Sequence, residues 1–117
     1  MMSVTAYPPR ERPLLVYDGE CSFCRRWAAR WQRWTGERIA YEPFQSAAAR
    51  FPDIPIEHFQ RSVHLIQPDG AVYSGAAAVY ALCATRPRWA WLLWAYRRVP
   101  GFARVSEWAY REIAAHR

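Results

Sequence analysis

The sequence contains no lysine, because all 16 of its basic residues are arginine. Ten acidic residues oppose them, which leaves a formal net charge of +6. Such a charge is compatible with an acidic partner, either nucleic acid or a membrane surface. The arginines are spread along the chain instead of forming one run. We therefore favour a compositional bias and expect no nucleic-acid partner.

Cysteine is scarce and long apolar runs are missing. Three cysteines cannot build a disulfide framework, and their odd number argues against a secreted, disulfide-stapled domain. Residues 1–13 lack the apolar core of a signal peptide. No run approaches the roughly 20 apolar residues that cross a bilayer. We therefore expect a cytoplasmic protein, in which a Cys-x-x-Cys pair is more often redox-active or metal-binding than structural.

What the chain does contain is ample apolar surface: 52% of its 117 residues are hydrophobic and 16% are aromatic. This length and composition predict one domain over residues 1–117. We expect its core at about residues 12–86, followed by a helical extension over residues 87–117. The seven tryptophans mostly fall at helical spacing, which is typical of core-facing residues.

Residues 17–24 read Tyr-Asp-Gly-Glu-Cys-Ser-Phe-Cys and hold two of the three cysteines. The apolar run Leu14–Tyr17 before them predicts a central strand buried on both faces. After them, apolar residues recur at intervals of four, four and three, which predicts a helix that begins near Ser22 and ends at Gly36. On that helix Cys24 shares a row with Ala28 and should point towards the core, whereas Cys21 should be exposed.

This placement of two thiols has a chemical reason. Positions i and i+3 of a helix are neighbours on one face, close enough for a disulfide to open and close. The unpaired N–H groups of a helix N-terminus favour a thiolate, which is the nucleophile. Cys21 is the predicted attacking thiol and Cys24 the predicted resolving thiol. Asp18, at the end of the strand, could accept a proton in the resolving step or could shape an Asx-turn.

The remaining elements complete a fold class. Strands are predicted at residues 38–44, 63–66 and 71–74, with two short helices between residues 45 and 60. Asp53 and Pro55 resemble a helix cap and a first-turn proline. Helices are predicted at residues 75–85, 89–98 and 102–116, and residues 1–12 should form a loose lead-in. A parallel βαβ unit, a helical connection, a β-hairpin and a helix make an α/β, thioredoxin-like fold.

Residues 17–24 resemble the signature of the DCC family of thiol-disulfide oxidoreductases, named for Asp-x-x-Cys-x-x-Cys. The similarity continues at residues 67–70 and 75–76 and at residues 110–117. It implies a thioredoxin-like fold and protein-disulfide reductase chemistry at Asp18, Cys21 and Cys24. The resemblance does not identify a substrate; the exchange mechanism itself requires a disulfide-containing protein or small molecule as substrate and an external dithiol as reductant, and we expect no cofactor or metal. Unlike thioredoxins, the chain has no proline just before its third predicted strand, which favours a narrower partner or a weaker activity.

Three alternatives compete with this interpretation. Cys21, Cys24 and Cys83 could bind zinc with one histidine, for which the candidates are His58, His64 and His116. The chain could instead be a binding module with an Arg/Trp-rich surface. Residues 89–96 could touch a membrane peripherally, although we favour a helix packed on the core. We interpret His64 as a hydrogen-bonded core histidine and Cys83 as a small buried apolar residue.

Overall fold

Five strands form one mixed sheet in the computed structural model, which describes residues 2–115. The strands are β1 (Met2–Val4), β2 (Leu14–Tyr17), β3 (Ala40–Pro43), β4 (His64–Ile66) and β5 (Ala71–Ser74). The α-helices are α1 (Ser22–Thr35), α2 (Phe44–Ala47), α3 (Ile56–Arg61), α4 (Ala76–Cys83), α5 (Ala90–Arg98) and α6 (Phe102–Ala115). Short 3₁₀ turns cover Gly36–Arg38, Ala48–Arg50 and Pro87–Trp89.

The strand order is β1-β5-β4-β2-β3, with β2 parallel to β3 and the other neighbours antiparallel. The four strands from β2 to β5 have the order and directions of the thioredoxin fold, so the predicted fold class is confirmed. Strand β2 is central, and its residues Leu14, Leu15 and Val16 are buried. As the unbroken apolar run predicted, both faces of β2 are covered.

Helices cover the sheet on two sides because alternate residues of each strand point to opposite faces. On one face, Leu15 and Leu65 pack against Ala81 and Leu82 of α4 in one apolar cluster. The opposite face forms a second cluster, to which α2 supplies Phe44 and α3 supplies Phe59. The cysteine-bearing helix α1 shares the first face with α4 and α6.

The expectation of a loose lead-in over residues 1–12 was wrong for residues 2–6, because Met2–Val4 pairs antiparallel with β5 at the edge of the sheet. Residues 7–12 are irregular, as expected. Beyond the strand, Thr5 N–H donates to the Gly70 carbonyl at 2.8 Å. The Thr5 hydroxyl and the Ala6 N–H both donate to the Asp53 carboxylate, at 2.8 and 2.9 Å. Asp53 therefore binds the N-terminal segment through these hydrogen bonds and does not cap a helix. Pro55 occupies the N-cap of α3, one position before the predicted first turn.

Helices α5 and α6 are joined to α4 by partly buried polar contacts. The Glu107 carboxylate of α6 accepts from Ala76 N–H at 3.2 Å and from the Tyr96 hydroxyl at 2.6 Å. Gly75, at the start of α4, has a φ of 64°, and a Cβ there would lie 2.5 Å from Glu107 Oε1. A glycine is required at this position because both the backbone conformation and the close carboxylate exclude a side chain.

Five of the seven tryptophans depart from the sequence expectation because they are exposed, whereas Trp31 and Trp34 are partly buried and pack against the first core cluster as expected. Helix α5 packs on α4 through Ala95 and Tyr96, while Trp91 and Trp94 remain 56% and 61% exposed. The helical spacing of the tryptophans indicates an apolar face on each helix, but it does not show whether the core covers that face. None of the six α-helices in residues 2–115 combines the length and the apolar character that a membrane crossing requires.

Replacing Glu107 tests how firmly α6 is attached. Glu107→Ala removes the carboxylate that accepts from the Ala76 N–H and from the Tyr96 hydroxyl, so the free energy of unfolding should fall by about 2 kcal/mol. The control is Glu112→Ala on the exposed face of the same helix. It should stay within about 0.5 kcal/mol of wild type in the same denaturant titration. Equal effects of the two changes would contradict the attachment.

Candidate functional site

Cys21 is the N-cap residue of α1. Its backbone is extended, with φ −95° and ψ 117°, and its Sγ accepts a hydrogen bond from Cys24 N–H at 3.3 Å. Its carbonyl accepts the first helical bond, from Arg25 N–H at 3.0 Å. A sulfur in this position receives one of the unpaired N–H groups of the helix end, which favours negative charge on it. No acidic residue occurs in the first turn of α1.

The two thiols differ in exposure, as the helical spacing predicted. Cys21 is partly exposed, whereas Cys24 is buried with 6% of its surface accessible. Cys21 is therefore accessible to a partner molecule, whereas Cys24 lies buried one turn further along the helix.

The turn before Cys21 is held from the opposite side of the sheet by Gln45. The Gln45 side-chain carbonyl accepts from Gly19 N–H at 3.0 Å, and its amide donates to Asp18 Oδ1 at 2.9 Å. A Cβ on Gly19 would lie 2.7 Å from the Pro43 Cβ, so only glycine fits. The sequence reasoning missed Gln45. The available signal was that β2 and β3 are parallel, so the residues after each strand meet at one sheet edge.

Asp18 shapes this turn directly. Its Oδ1 also accepts from Glu20 N–H at 3.0 Å, and its carbonyl accepts from Cys21 N–H at 3.3 Å. These bonds form the Asx-turn that was one of the two predicted roles of Asp18. Its role as a proton acceptor stays a prediction.

The other candidate residues lie apart from the dithiol. His64 is buried in the cluster opposite α1, where its Nδ1 is 3.1 Å from the Ser62 carbonyl and its ring contacts Phe59 at 4.9 Å. Burial lowers the pKa of His64 to about 4, and the charge of His58 acts in the same direction. His64 is therefore a neutral core histidine at pH 7.

Cys83, on α4, is half-exposed instead of fully buried, and burial of its sulfur raises its pKa. Within residues 2–115, no three side chains among cysteine, histidine, aspartate and glutamate stand close enough together to hold a metal ion. The described part of the chain thus does not assemble the predicted zinc set. Its last candidate, His116, lies outside the described residues.

A family model described as DCC1-like thiol-disulfide oxidoreductase matches residues 15–117 of the chain. The match begins in β2 and covers both cysteines of the pair and the C-terminal helices. No match was found among curated proteins or among solved structures.

The hold of Gln45 on the turn can be tested by amide exchange. Gln45→Ala should increase hydrogen exchange at Gly19 N–H, because that donor loses its acceptor, and should cost about 1 kcal/mol of stability. Gln32→Ala, an exposed change in α1, is the matched control and should leave exchange at Gly19 unaltered. An unchanged Gly19 exchange rate in Gln45→Ala would contradict the contact.

His64 predicts a loss of stability in mild acid. The unfolded histidine binds a proton below about pH 6.5, whereas the folded one does so only near pH 4. The contribution of neutral His64 to the free energy of unfolding is complete above pH 6.5 and disappears as the pH falls towards 4. It amounts to roughly 3 kcal/mol.

Chemical denaturation at intervals between pH 7 and pH 4.5 measures this effect. His64→Leu should flatten the dependence of unfolding free energy on pH. His58→Gln changes an exposed histidine and should retain most of the dependence. An unchanged slope in His64→Leu would show that another group is responsible.

Proposed function

The chain belongs to the DCC1-like thiol-disulfide oxidoreductase family, and on that premise we propose that Cys21 and Cys24 catalyse disulfide reduction, with Cys21 attacking and Cys24 resolving. One observation carries the assignment of roles. Cys21 is partly exposed and its Sγ accepts an N–H at the start of α1, while Cys24 is buried one turn further along. The nucleophile must be both ionised and accessible, and Cys21 meets these conditions better.

The reaction proceeds in two exchanges. The Cys21 thiolate attacks one sulfur of a substrate disulfide, the substrate S–S bond breaks, and the other sulfur leaves as a thiolate. The Cys24 thiol, after losing its proton, then attacks Cys21 Sγ and displaces the second substrate thiolate. Two electrons have passed to the substrate, which takes up two protons, and Cys21 and Cys24 are joined as a disulfide. An external dithiol must reduce that disulfide before the next cycle.

Asp18 is the group we propose for the proton of Cys24. Its carboxylate is already held by the Glu20 N–H and the Gln45 amide, so it occupies a defined position in the turn that leads to Cys21. We place the reaction in the cytoplasm, where reduced thiols persist. The substrate is a disulfide-containing protein or small molecule.

Cysteine variants separate the two roles. Cys21→Ser should abolish reduction of a model disulfide, because the first exchange has no nucleophile. Cys24→Ser should form a mixed disulfide with the substrate and then stop. Intact-mass measurement should detect that adduct on Cys21 and its release by added dithiothreitol.

Cys83→Ser is the control for loss of a thiol outside the pair, and it should keep the wild-type rate. The proposal is lost if Cys21→Ser and Cys24→Ser both reduce the model disulfide as fast as wild type. Expression of Cys24→Ser in the native host, followed by identification of what is bound to Cys21, would name the natural substrate.

A further inference from the structure

An apolar cavity of about 250 Å³ opens between α1, α4 and α6, and the buried Cys24 forms part of its wall. Its lining includes Trp27 and Trp31 from α1 and Tyr110 and Ile113 from α6. Among residues 2–115, no charged side chain contributes to this lining. The cavity is partly open to solvent and lies beside the resolving thiol.

The polar atoms of the lining are already engaged with one another. The Tyr80 and Ser106 hydroxyls are 2.9 Å apart and hydrogen-bonded. The Tyr110 hydroxyl accepts from Val63 N–H at 3.1 Å. A ligand that enters the cavity therefore gains mainly apolar contact, and a strongly polar ligand would lose hydration without compensation.

The volume limits the size of the group that fits. An apolar cavity of about 150 Å³ accommodates benzene. A cavity of about 250 Å³ therefore has room for a bicyclic aromatic ring or a branched aliphatic group, but not for a folded peptide segment. The occupant is a single apolar group.

Charge beside the cavity adds a second criterion. Phe23 and Trp27 line both the cavity and a neighbouring hollow that Arg26 and Arg30 complete. The Arg30 guanidinium lies 5.3 Å from the centre of the Trp27 ring. Among residues 2–115, no carboxylate forms an ion pair with either arginine. An anionic substituent on the apolar group would be attracted here, and a cationic one repelled.

We propose that this cavity is the substrate subsite of the dithiol and selects disulfides that carry an aromatic or branched apolar group with an attached carboxylate. This inference rests on the proposed function, because the apolar group is carried by the disulfide that Cys21 attacks. The exchange steps and their electron balance are those given above. The cavity would bind the apolar part of the substrate beside Cys24. This binding would hold the substrate disulfide close to the sulfurs of Cys21 and Cys24.

Binding can be measured without any redox step. The probes are 2-naphthoate and 2-naphthylmethylamine, which have the same ring and opposite charge, titrated calorimetrically into the wild-type protein. We expect one site for 2-naphthoate, with binding about tenfold or more tighter than that of the amine. Equal affinities, or no binding of 2-naphthoate, would overturn the proposed selectivity.

A narrowed cavity provides the second measurement. Ala109, on α6, lines the cavity, whereas Ala115 on the same helix is exposed and does not. Ala109→Trp should weaken the binding of 2-naphthoate about tenfold or more, whereas Ala115→Trp should bind 2-naphthoate with the affinity of wild type. Circular dichroism checks that each variant is folded. If Ala109→Trp is not folded, Ala114→Phe narrows the same cavity, and the two naphthyl probes on wild type remain decisive.

Kinetics connect the cavity to turnover. Ellman's reagent is an aromatic disulfide with carboxylates, and hydroxyethyl disulfide is small, polar and neutral. The ratio of their kcat/KM values should fall about tenfold in Ala109→Trp and stay constant in Ala115→Trp. An unchanged ratio in a folded Ala109→Trp that reduces both compounds overturns the subsite and leaves the proposed function intact. A wild-type protein that reduces neither compound instead overturns the proposed function.

Discussion

The carboxylate of Glu107 sets where the last two helices lie. It is partly buried, so it needs donors, and it finds them in the Ala76 N–H of α4 and the Tyr96 hydroxyl of α5. With α6 held there, its next turns bring Ser106 to Tyr80 and Tyr110 to Val63. The outer wall of the cavity beside Cys24 consists of this same helix. On our proposal, the C-terminal extension is therefore part of the substrate site and not only a cover for the sheet.

The dithiol is supported from both faces of the sheet. Gln45, in α2 on one face, holds the Asp18–Gly19 turn, and α1 on the other face carries the thiols. They meet at the edge where the parallel strands β2 and β3 end, the usual position of a site in a sheet of this kind. The close approach of Pro43 to Gly19 leaves little freedom to the turn. The position of Cys21 thus depends on contacts that are distant in sequence.

Local signals predicted more of this protein than long-range ones. The apolar run of β2, the periodicity of α1 and the hairpin strands at residues 63–66 and 71–74 lie within single windows, and each element was found close to its predicted place. The edge strand Met2–Val4 was missed because its partner β5 is about seventy residues away and its own pattern is too short. Gln45 and Asp53 were missed or misassigned for the same reason. The exposed tryptophans show that an apolar helical face does not reveal whether another element covers it.

The structure shows what lies before β4, at the position where thioredoxins have a proline. At that point the Val63 N–H donates to the Tyr110 hydroxyl of α6, so this backbone donor is already used within the chain. A partner that relied on this main-chain donor would have to displace Tyr110. A compact apolar group needs no such displacement, because the cavity between Trp27, Trp31 and Ile113 already stands open beside Cys24. On our proposal, the same helix that limits access for extended protein chains creates the site for a small apolar disulfide, and this accounts for a narrower range of substrates than the cysteine motif alone would suggest.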